Sequence, residues 1–376
     1  MELKYNNKLS FDEVVKKSSK YKVEGKKGKF VNKLIFGDNL NGLNYLINKE
    51  NLKGKVDLIY IDPPFATNNT FSIDEGSRVS TISNSKNGSI AYSDKLKGYD
   101  FIEFLRERVI LLRELLSDNG SFYLHIDYKI GHYVKVMLDE VFGINNFRND
   151  ITRIKCNPKN FKRKGYGNIK DLILFYSKSD EMIWNEPKVP YSDTDIEKLY
   201  SKSDKDGRRY TTVPIHAPGE TINSSNQIFK GMNPPKGRHW RTNVEELERL
   251  DKVGLIEWSS KGNPRMIIFA DEKEGKRVQD IWEYKDPQYP LYPTQKNSDL
   301  LDFIIKTSSN PNSLVLDCFC GSGSTLLSAL KNERNWIGID ASEESMKVVK
   351  KQLKEQGGTL FGDYSDYDYI HLKGTE

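Results

Sequence analysis

The stretch Val56-Asp57-Leu58-Ile59-Tyr60-Ile61-Asp62-Pro63-Pro64-Phe65 admits few local structures. Residues 56–61, rich in β-branched and aromatic types, read as a strand buried in a parallel sheet. Two prolines then forbid both further ladder pairing and an immediate helix. The strand has to stop at Asp62, which leaves a carboxylate, fixed backbone carbonyls and an aromatic ring at the rim of an α/β sheet. Folds of that class bind ligands outside the carboxyl ends of their strands. A carboxylate, a rigid carbonyl and a flat apolar surface suit a planar heterocycle with an exocyclic amino group. The plain alternative is a strand ended by a Pro-Pro turn, and the rest of the chain has to decide between them.

The surrounding pattern supports a sheet. Residues 33–38 read as a strand ending in Gly37-Asp38, and residues 39–48 as a helix, so the chain opens on a β-α-β unit with a right-handed crossover. Asp38 and Asp62 then share one edge of the sheet, where Asp38 either caps the helix or faces a ligand. Residues 66–94 are rich in Ser, Asn, Thr and Gly, and read as a loop that folds over the site when substrate binds. Apolar residues at three- and four-residue spacing mark a helix over 99–116, ended by Asp118-Asn119-Gly120. A strand at 121–127 contains His125, read as a packed strand histidine. A helix at 131–142 and strands at 147–155 and 171–176 follow.

The second half of the fold lies beyond residue 290. A helix after Pro293-Thr294-Gln295-Lys296 leads to a buried strand at 313–319. That strand runs into Cys320-Gly321-Ser322-Gly323-Ser324-Thr325, a helix from 326 and a strand ending in Asp340. A strand, a glycine loop, a helix and an acid-tipped strand make a nucleoside-binding unit. Glycines let the backbone approach the ligand, the helix start offers N–H groups to an anion, and Asp340 can accept from ribose hydroxyls. A dinucleotide fits poorly: Leu326 stands where the third glycine of GxGxxG belongs, and Asp317 would repel a pyrophosphate. Asp317 suits an ammonium group instead. S-adenosylmethionine has those two ends, an amino acid and an adenosine.

Composition sets the remaining bounds. At 376 residues the chain is long enough for two domains. No apolar run approaches the roughly 20 residues that span a bilayer, and the first residues lack the apolar stretch of a signal peptide. Three cysteines, Cys156, Cys318 and Cys320, form neither a disulfide framework nor a CxxC site, which points to a reducing cytoplasm. The net charge is only +5, so its placing matters more than its total. Residues 1–30 form a Lys-rich lead-in, read as a solvated arm or helix face, the alternative being a contact with nucleic-acid phosphates. Arg153, Lys155, Lys159, Lys162, Arg163, Lys164 and Lys170 gather around Phe161 and Tyr166. Residues 178–290 lose the α/β rhythm and carry Lys205, Arg208 and Arg209, then Lys236, Arg238, His239 and Arg241 around Trp240. Basic residues mixed with aromatics suit phosphate contact and base stacking.

Two motifs carry a family resemblance. Leu316-Asp317-Cys318-Phe319-Cys320-Gly321-Ser322-Gly323-Ser324 resembles the cofactor motif of amino-group DNA methyltransferases, and Asp62-Pro63-Pro64-Phe65 resembles their catalytic tetrapeptide. Pro293-Thr294-Gln295-Lys296 is similar to the segment that family sets against the methionine part of its cofactor. The catalytic motif precedes the cofactor motif, as in the permuted β group, which includes the modification subunits of type III restriction systems. The resemblance covers roughly residues 30–178 and 289–355.

It implies a doubly wound, mostly parallel α/β sheet, Rossmann-like and permuted, with residues 316 and 60 on neighbouring strands. The implied organisation is a lead-in (1–30), a catalytic half (31–177), a target-recognition insert (178–290), a cofactor half (291–355) and a tail (356–376). The implied cofactor is S-adenosylmethionine, held by Asp38, Thr294, Gln295, Lys296, Asp317, Phe319, Cys320, Gly321, Ser322, Gly323, Ser324, Thr325 and Asp340. Asp62, Pro63, Pro64 and Phe65 are the implied catalytic group, acting on a flipped base in double-stranded DNA. Asp at position 62 favours adenine N6, whereas cytosine-N4 enzymes of the family more often carry Ser; Phe65 lacks the hydroxyl of the commoner Tyr. The alternatives are a cytosine-N4 enzyme, a methyltransferase acting on RNA or a protein amide, and a binding-only or dehydrogenase-like module. A restriction endonuclease subunit and a second copy of the chain are the protein partners the resemblance allows.

Overall fold

The computed structural model describes residues 2–17, 21–26, 31–64, 70–73, 89–93, 98–158, 162, 164–221, 227–286, 296–356 and 367–374. Phe65, Thr294 and Gln295, most of 66–94, and Lys159, Phe161 and Arg163 lie outside these residues. The chain divides into two compact units, one of residues 1–186 with 279–376 and one of Pro187–Val278.

The first unit is built on a ten-stranded sheet. Its strands are β1 (Tyr21–Lys26), β2 (Lys33–Phe36), β3 (Val56–Ile61), β4 (Leu116–Ile126), β5 (Phe147–Ile154), β6 (Lys170–Ser177), β7 (Ile281–Glu283), β8 (Leu314–Asp317), β9 (Asn335–Asp340) and β10 (Asp368–Gly374). They lie in the order β1-β10-β2-β9-β8-β3-β4-β6-β5-β7. From β10 to β4 all neighbours are parallel; β6 is antiparallel to both β4 and β5, and β1 is antiparallel to β10. The helices are α1 (Phe11–Lys16), α2 (Asn39–Asn48), α3 (Gly98–Leu115), α4 (Tyr128–Phe142), α5 (Ser298–Ser308), α6 (Ser324–Lys331) and α7 (Glu343–Gln356).

The expected juxtaposition is present. β3 and β8 pair in parallel, Leu58 opposite Val315 and Ile59 opposite Leu316, although about 250 residues separate them in the chain. The chain continues from β3 to its outer neighbour β4 and from β8 to its outer neighbour β9, in opposite directions, which makes this pair a topological switch point of the sheet. β2 and β3 are parallel as read from sequence, but β9 and β8 lie between them, so the opening crossover spans two other strands.

Four readings need correction. Of the two forms considered for the lead-in, a solvated arm does not hold over 2–17: Leu3, Tyr5, Leu9 and Phe11 pack on the core, and Ser10 and Glu13 form a capping box that starts α1, a helix with Lys16 on its exposed face. Its lysines pair with acids of α3 and α4, Lys17 with Glu107 and Lys8 with Glu140. The tail, in which no pattern was legible, supplies β10 between β1 and β2, with Lys33 of β2 buried against Asp368. The helix read over 99–116 gives way to β4 already at Leu116, so Asp118-Asn119-Gly120 lies inside an irregular strand start rather than ending the helix. Thr70–Ile73 and Ser89–Ser93 pair as an antiparallel hairpin within the stretch read as loop.

Gly338 accounts for Leu326. A Cβ on Gly338 would lie 2.5 Å from Leu326 Cδ1 and 3.2 Å from Cys320 Sγ. The closeness that a third loop glycine gives in GxGxxG is obtained here from the facing strand, and Leu326 fills the space. Gly338→Ala should therefore lower stability by about 1–3 kcal/mol through overpacking, seen as a lower thermal midpoint.

The second unit holds a four-stranded antiparallel sheet of Lys202–Ser203, Arg209–Pro214, Pro264–Phe269 and Ile256–Trp258, in that order. Its core includes Ile215, Phe229, Trp240, Leu247, Leu250 and Ile256. Trp240, read from sequence as a stacking surface, is a core residue whose indole N–H donates to the Gln227 carbonyl at 2.8 Å. Among the described residues no helix is long and apolar enough to cross a membrane, and no cluster of His, Cys, Asp and Glu could hold a metal.

Candidate active site

Asp62 follows directly on the last residue of β3, with Pro63 and Pro64 after it in irregular backbone. Its side chain is 15% exposed. One oxygen, Oδ2, is held by Lys296 Nζ at 2.5 Å. The other, Oδ1, is a buried acceptor with no hydrogen-bond donor among the described residues. The structure therefore sets Lys296, expected at the cofactor, on the carboxylate expected to do chemistry.

His125 is the packed strand histidine read from sequence, but its ring packs among ionisable groups. The register Tyr60–Tyr123, Ile61–Leu124 places it beside Asp62 at the next step along β3 and β4. It is fully buried, with Nδ1 at 3.9 Å from Asp62 Oδ1 and 3.0 Å from the Tyr60 hydroxyl. Its Nε2 lies 3.3 Å from Asp171 Oδ2. An ionised carboxylate only accepts, so Nε2 carries the proton, Nδ1 is the acceptor and the Tyr60 hydroxyl donates to it. Lys155 Nζ donates to Asp171 Oδ1 at 2.6 Å, and Arg153 lies 3.7 Å from Oδ2. Burial pushes the His125 imidazole below its ordinary range, which keeps it neutral. Burial alone would raise Asp171, but the His125 hydrogen bond and the Lys155 charge win and hold it well below the usual carboxylate range. Residues 62, 125, 153–155 and 171 all fall at strand ends on one edge of the sheet.

The residues read as cofactor-binding gather at the carboxyl ends of β8, β9 and β2. Asp317 is 2% exposed; Oδ1 accepts from Phe319 N at 2.9 Å and Oδ2 from the Thr325 hydroxyl at 2.7 Å. Burial, reinforced by Asp62 and Asp340, pushes its carboxyl up to about 7 despite those donors. Asp340 accepts from Gly321 N and Ser342 N, each at 2.8 Å, and burial raises it as well. Each Asp317 oxygen, with one donor, keeps a second lone pair for a ligand, whereas Asp340 also interacts with Ala341 N and the Ser345 hydroxyl. Gly321 and Gly323 have φ of +50° and +81°, a left-handed region that favours glycine. Gly323 is the N-cap of α6, and the Ser322 and Ser324 hydroxyls lie 3.0 Å apart. Cys318 and Cys320 are buried free thiols that burial raises well above the usual range, so neither serves as a nucleophile.

Asp38 caps the helix, the first of the two roles considered for it, and also pairs with an arginine. Oδ1 caps α2 through Leu40 N and Asn41 N, while Oδ2 pairs with Arg108 at 3.1 Å and the side chain stays half-exposed. Arg108, on α3, was not singled out by sequence. It also bonds Asn39, whose amide donates to the Cys318 carbonyl at 3.0 Å. Its guanidinium covers the Phe104 ring at 3.5 Å, and Phe104 in turn meets Phe319 at 6.3 Å between centroids. This brace ties the start of α2 to the glycine loop.

The acids, the positive-φ glycines and the helix start form a cradle with acceptors for hydroxyl and ammonium groups and N–H groups for an anion, beside a free carboxylate oxygen on the next strand. That donor set fits an amino-acid-bearing nucleoside.

Comparison with known proteins agrees with this geometry. A family model described as DNA methylase, of the N6/N4 type, matches residues 56–351. The type II methyltransferase M.EcaI of Enterobacter cloacae is 41% identical over 340 residues, covering 89% of this chain and 71% of that protein. The type III restriction-modification enzyme StyLTI Mod subunit of Salmonella typhimurium is 24% identical over 328 residues, covering 78% of this chain but 49% of the subunit. Among solved structures, the cytosine-N4-specific PvuII DNA methyltransferase aligns with a TM-score of 0.45 at 14% identity, covering 85% of each chain. A match over most of the chain, both halves of the site included, makes this protein a member of the N6/N4 DNA methylase family.

Proposed function

We propose that the chain transfers a methyl group from S-adenosylmethionine to N6 of an adenine flipped out of double-stranded DNA. The observation that carries this reading is the parallel pairing of β3 with β8, which puts Asp62 next to the Asp317 loop. The cofactor, when bound, supplies an electrophilic methyl on a sulfonium. In this reading the Asp340 edge and the loop amides orient it, with Asp317 opposite its ammonium group.

An aromatic amino nitrogen is a poor nucleophile because its lone pair is delocalised into the ring. Asp62 Oδ1 and the Pro63 carbonyl are two acceptors for its two hydrogens, and holding them favours the tetrahedral geometry in which the lone pair is free to attack. The work is positioning and electrostatics. Such a nitrogen is out of reach inside a duplex, hence the flipped base, with Phe65 as its stacking surface. Asp at position 62 supports adenine over cytosine.

Residues 178–290 are the proposed target-recognition region. Arg208 is tied to Asp271 and Glu272 at 2.9–3.1 Å, whereas Lys236 and Arg238 are exposed. Replacing Lys236 and Arg238 together by Ala should weaken DNA binding and lower the slope of log affinity against log salt by about one for each phosphate no longer neutralised. Binding titrations at several salt concentrations would check this. A restriction endonuclease subunit is the proposed partner.

The test is to express the protein in a host free of DNA methylation and map modified bases in its DNA. N6-methyladenine within one recurrent sequence supports the reading; N4-methylcytosine would transfer it to the other amino group, and unmodified DNA would refute it.

A further inference from the structure

The edge of the sheet that carries Asp62 also carries a file of buried ionisable groups that attack on the methyl group does not require. Asp62 Oδ1 faces His125 Nδ1, the far nitrogen of that ring faces Asp171, and Asp171 ends on Lys155 and Arg153. A histidine buried only for packing would need neither two carboxylates nor a fixed tautomer.

We propose that His125 is a positioning residue acting through Asp62: Asp62 Oδ1 takes the surplus proton from the methylated amino nitrogen, His125 Nδ1 receives it, and Asp171 holds the resulting imidazolium. This rests on the methyltransferase reading above. As the nitrogen–carbon bond forms, the carbon–sulfur bond breaks with its electron pair going to sulfur. The nitrogen is left cationic, with two protons and the new methyl. One proton passes to Oδ1, its bonding pair returning to nitrogen, and then moves on to Nδ1. Nε2 keeps its own proton on Asp171, and the extra proton goes back to solvent through Asp62 once product has left. No further reactant is needed.

The parts are suited to these roles. Oδ2 is occupied by Lys296, so Oδ1 is the oxygen with capacity to spare. The 3.9 Å between Oδ1 and Nδ1 has to shorten by about 1 Å, and catalytic hydrogen bonds commonly tighten only when substrate is bound. The Tyr60 hydroxyl, now on Nδ1 at 3.0 Å, has to turn aside, a rotation about one bond. Burial and Lys296 favour the neutral imidazole at rest, while Asp171 and Asp62 favour the cation. Among the described residues, the groups facing the ring include Tyr60 and Asp62 from β3, Asp171 from β6 with Lys155 and Arg153 of β5 behind it, and Lys296 from the segment before α5.

The experiment is single-turnover methyl transfer from tritiated S-adenosylmethionine to unmethylated DNA carrying the mapped site, from pH 5 to 9, with His125→Gln and Asp171→Asn. His125→Gln should slow transfer about 10- to 100-fold while cofactor and DNA dissociation constants stay within about threefold. The acid limb that His125 protonation gives the wild-type profile should disappear. Asp171→Asn, similar in size but uncharged, should slow transfer less and move that limb to lower pH. A His125→Gln rate within twofold of wild type, an unchanged acid limb, or a loss fully matched by weaker binding would overturn the relay. Should His125→Gln fail to bind cofactor at all, an unmoved limb in Asp171→Asn would overturn it. Wild-type protein that methylates no DNA would instead sink the methyltransferase reading, and the relay with it.

Discussion

Asp62→Ala is expected to cut single-turnover methyl transfer by about 10²–10⁴-fold, the range seen when a group that acts mainly in the transition state is removed. Cofactor affinity should change by no more than about threefold, because the cradle of Asp317, Asp340 and the glycine loop does not include this side chain. Tritium incorporation and calorimetric titration measure the two quantities separately. The truncation also takes a carboxylate from Lys296, a partner at 2.5 Å in a site only 11–15% exposed. Removing one member of a buried pair leaves an uncompensated charge, so a lower thermal midpoint should accompany the lost activity. Asp62→Asn separates the two roles proposed for the residue. An asparagine carbonyl can still hold one hydrogen of the amino group, but the amide cannot take up a proton. Activity between those of wild type and Asp62→Ala would show that placing the nitrogen accounts for part of the effect and proton acceptance for the rest. Full activity in Asp62→Ala would overturn the assignment of the site.

The parts of this protein that were legible in its sequence are those in which one strand carries its own message. β3 and β8 are short apolar runs that end in an acid, one stopped by prolines and the other by glycines, and both lie where they were expected. What was not legible depends on residues meeting across strands. His125 has apolar neighbours in its own strand and is indeed packed; its charged partners Asp62 and Asp171 come from two other strands. Gly338 and Leu326 are a similar pair, each unremarkable until the other faces it. Trp240 failed for the opposite reason. A tryptophan between arginines resembles a stacking surface, but an edge-to-core orientation that buries the ring and leaves the arginines outside has the same sequence. In the lead-in, lysine density hid a capping box at Ser10 and Glu13 that was there to be read. The terminal strand β10 alternates buried and half-exposed residues from Asp368 to Leu372, a short period-two signal outweighed by the irregular composition before it.

Asp317→Asn should act on stability and on cofactor binding in opposite directions. In the folded protein the carboxyl is pushed up to about 7 by burial, against an ordinary value of 3.8. Between those two values the folded protein holds a proton that the unfolded chain has already lost, so stability falls as pH rises across that window. Above 7 the full cost of burying the ionised form is present, at most about 4 kcal/mol from the size of the shift. Below about pH 4 both states are protonated and the cost is absent. The thermal midpoint of the ligand-free protein should therefore decline from pH 5 to pH 8 on account of this residue, and Asp317→Asn should flatten that part of the decline. Binding responds with the opposite sign. A ligand ammonium favours the ionised carboxylate, so below pH 7 each bound cofactor has to displace a proton, and affinity should rise close to tenfold per pH unit from about 5.5 to 7 before levelling off. The asparagine has no proton to lose and no charge to offer. Its affinity should be roughly 10- to 100-fold weaker at pH 8 and nearly independent of pH, an interaction of about 1.4–2.7 kcal/mol between ammonium and buried carboxylate. Titration calorimetry in two buffers of different ionisation enthalpy would count the released proton directly. Pairing is excluded if wild-type affinity does not change between pH 5.5 and 7, since a carboxylate that ionises within this range cannot face a cation without coupling to it.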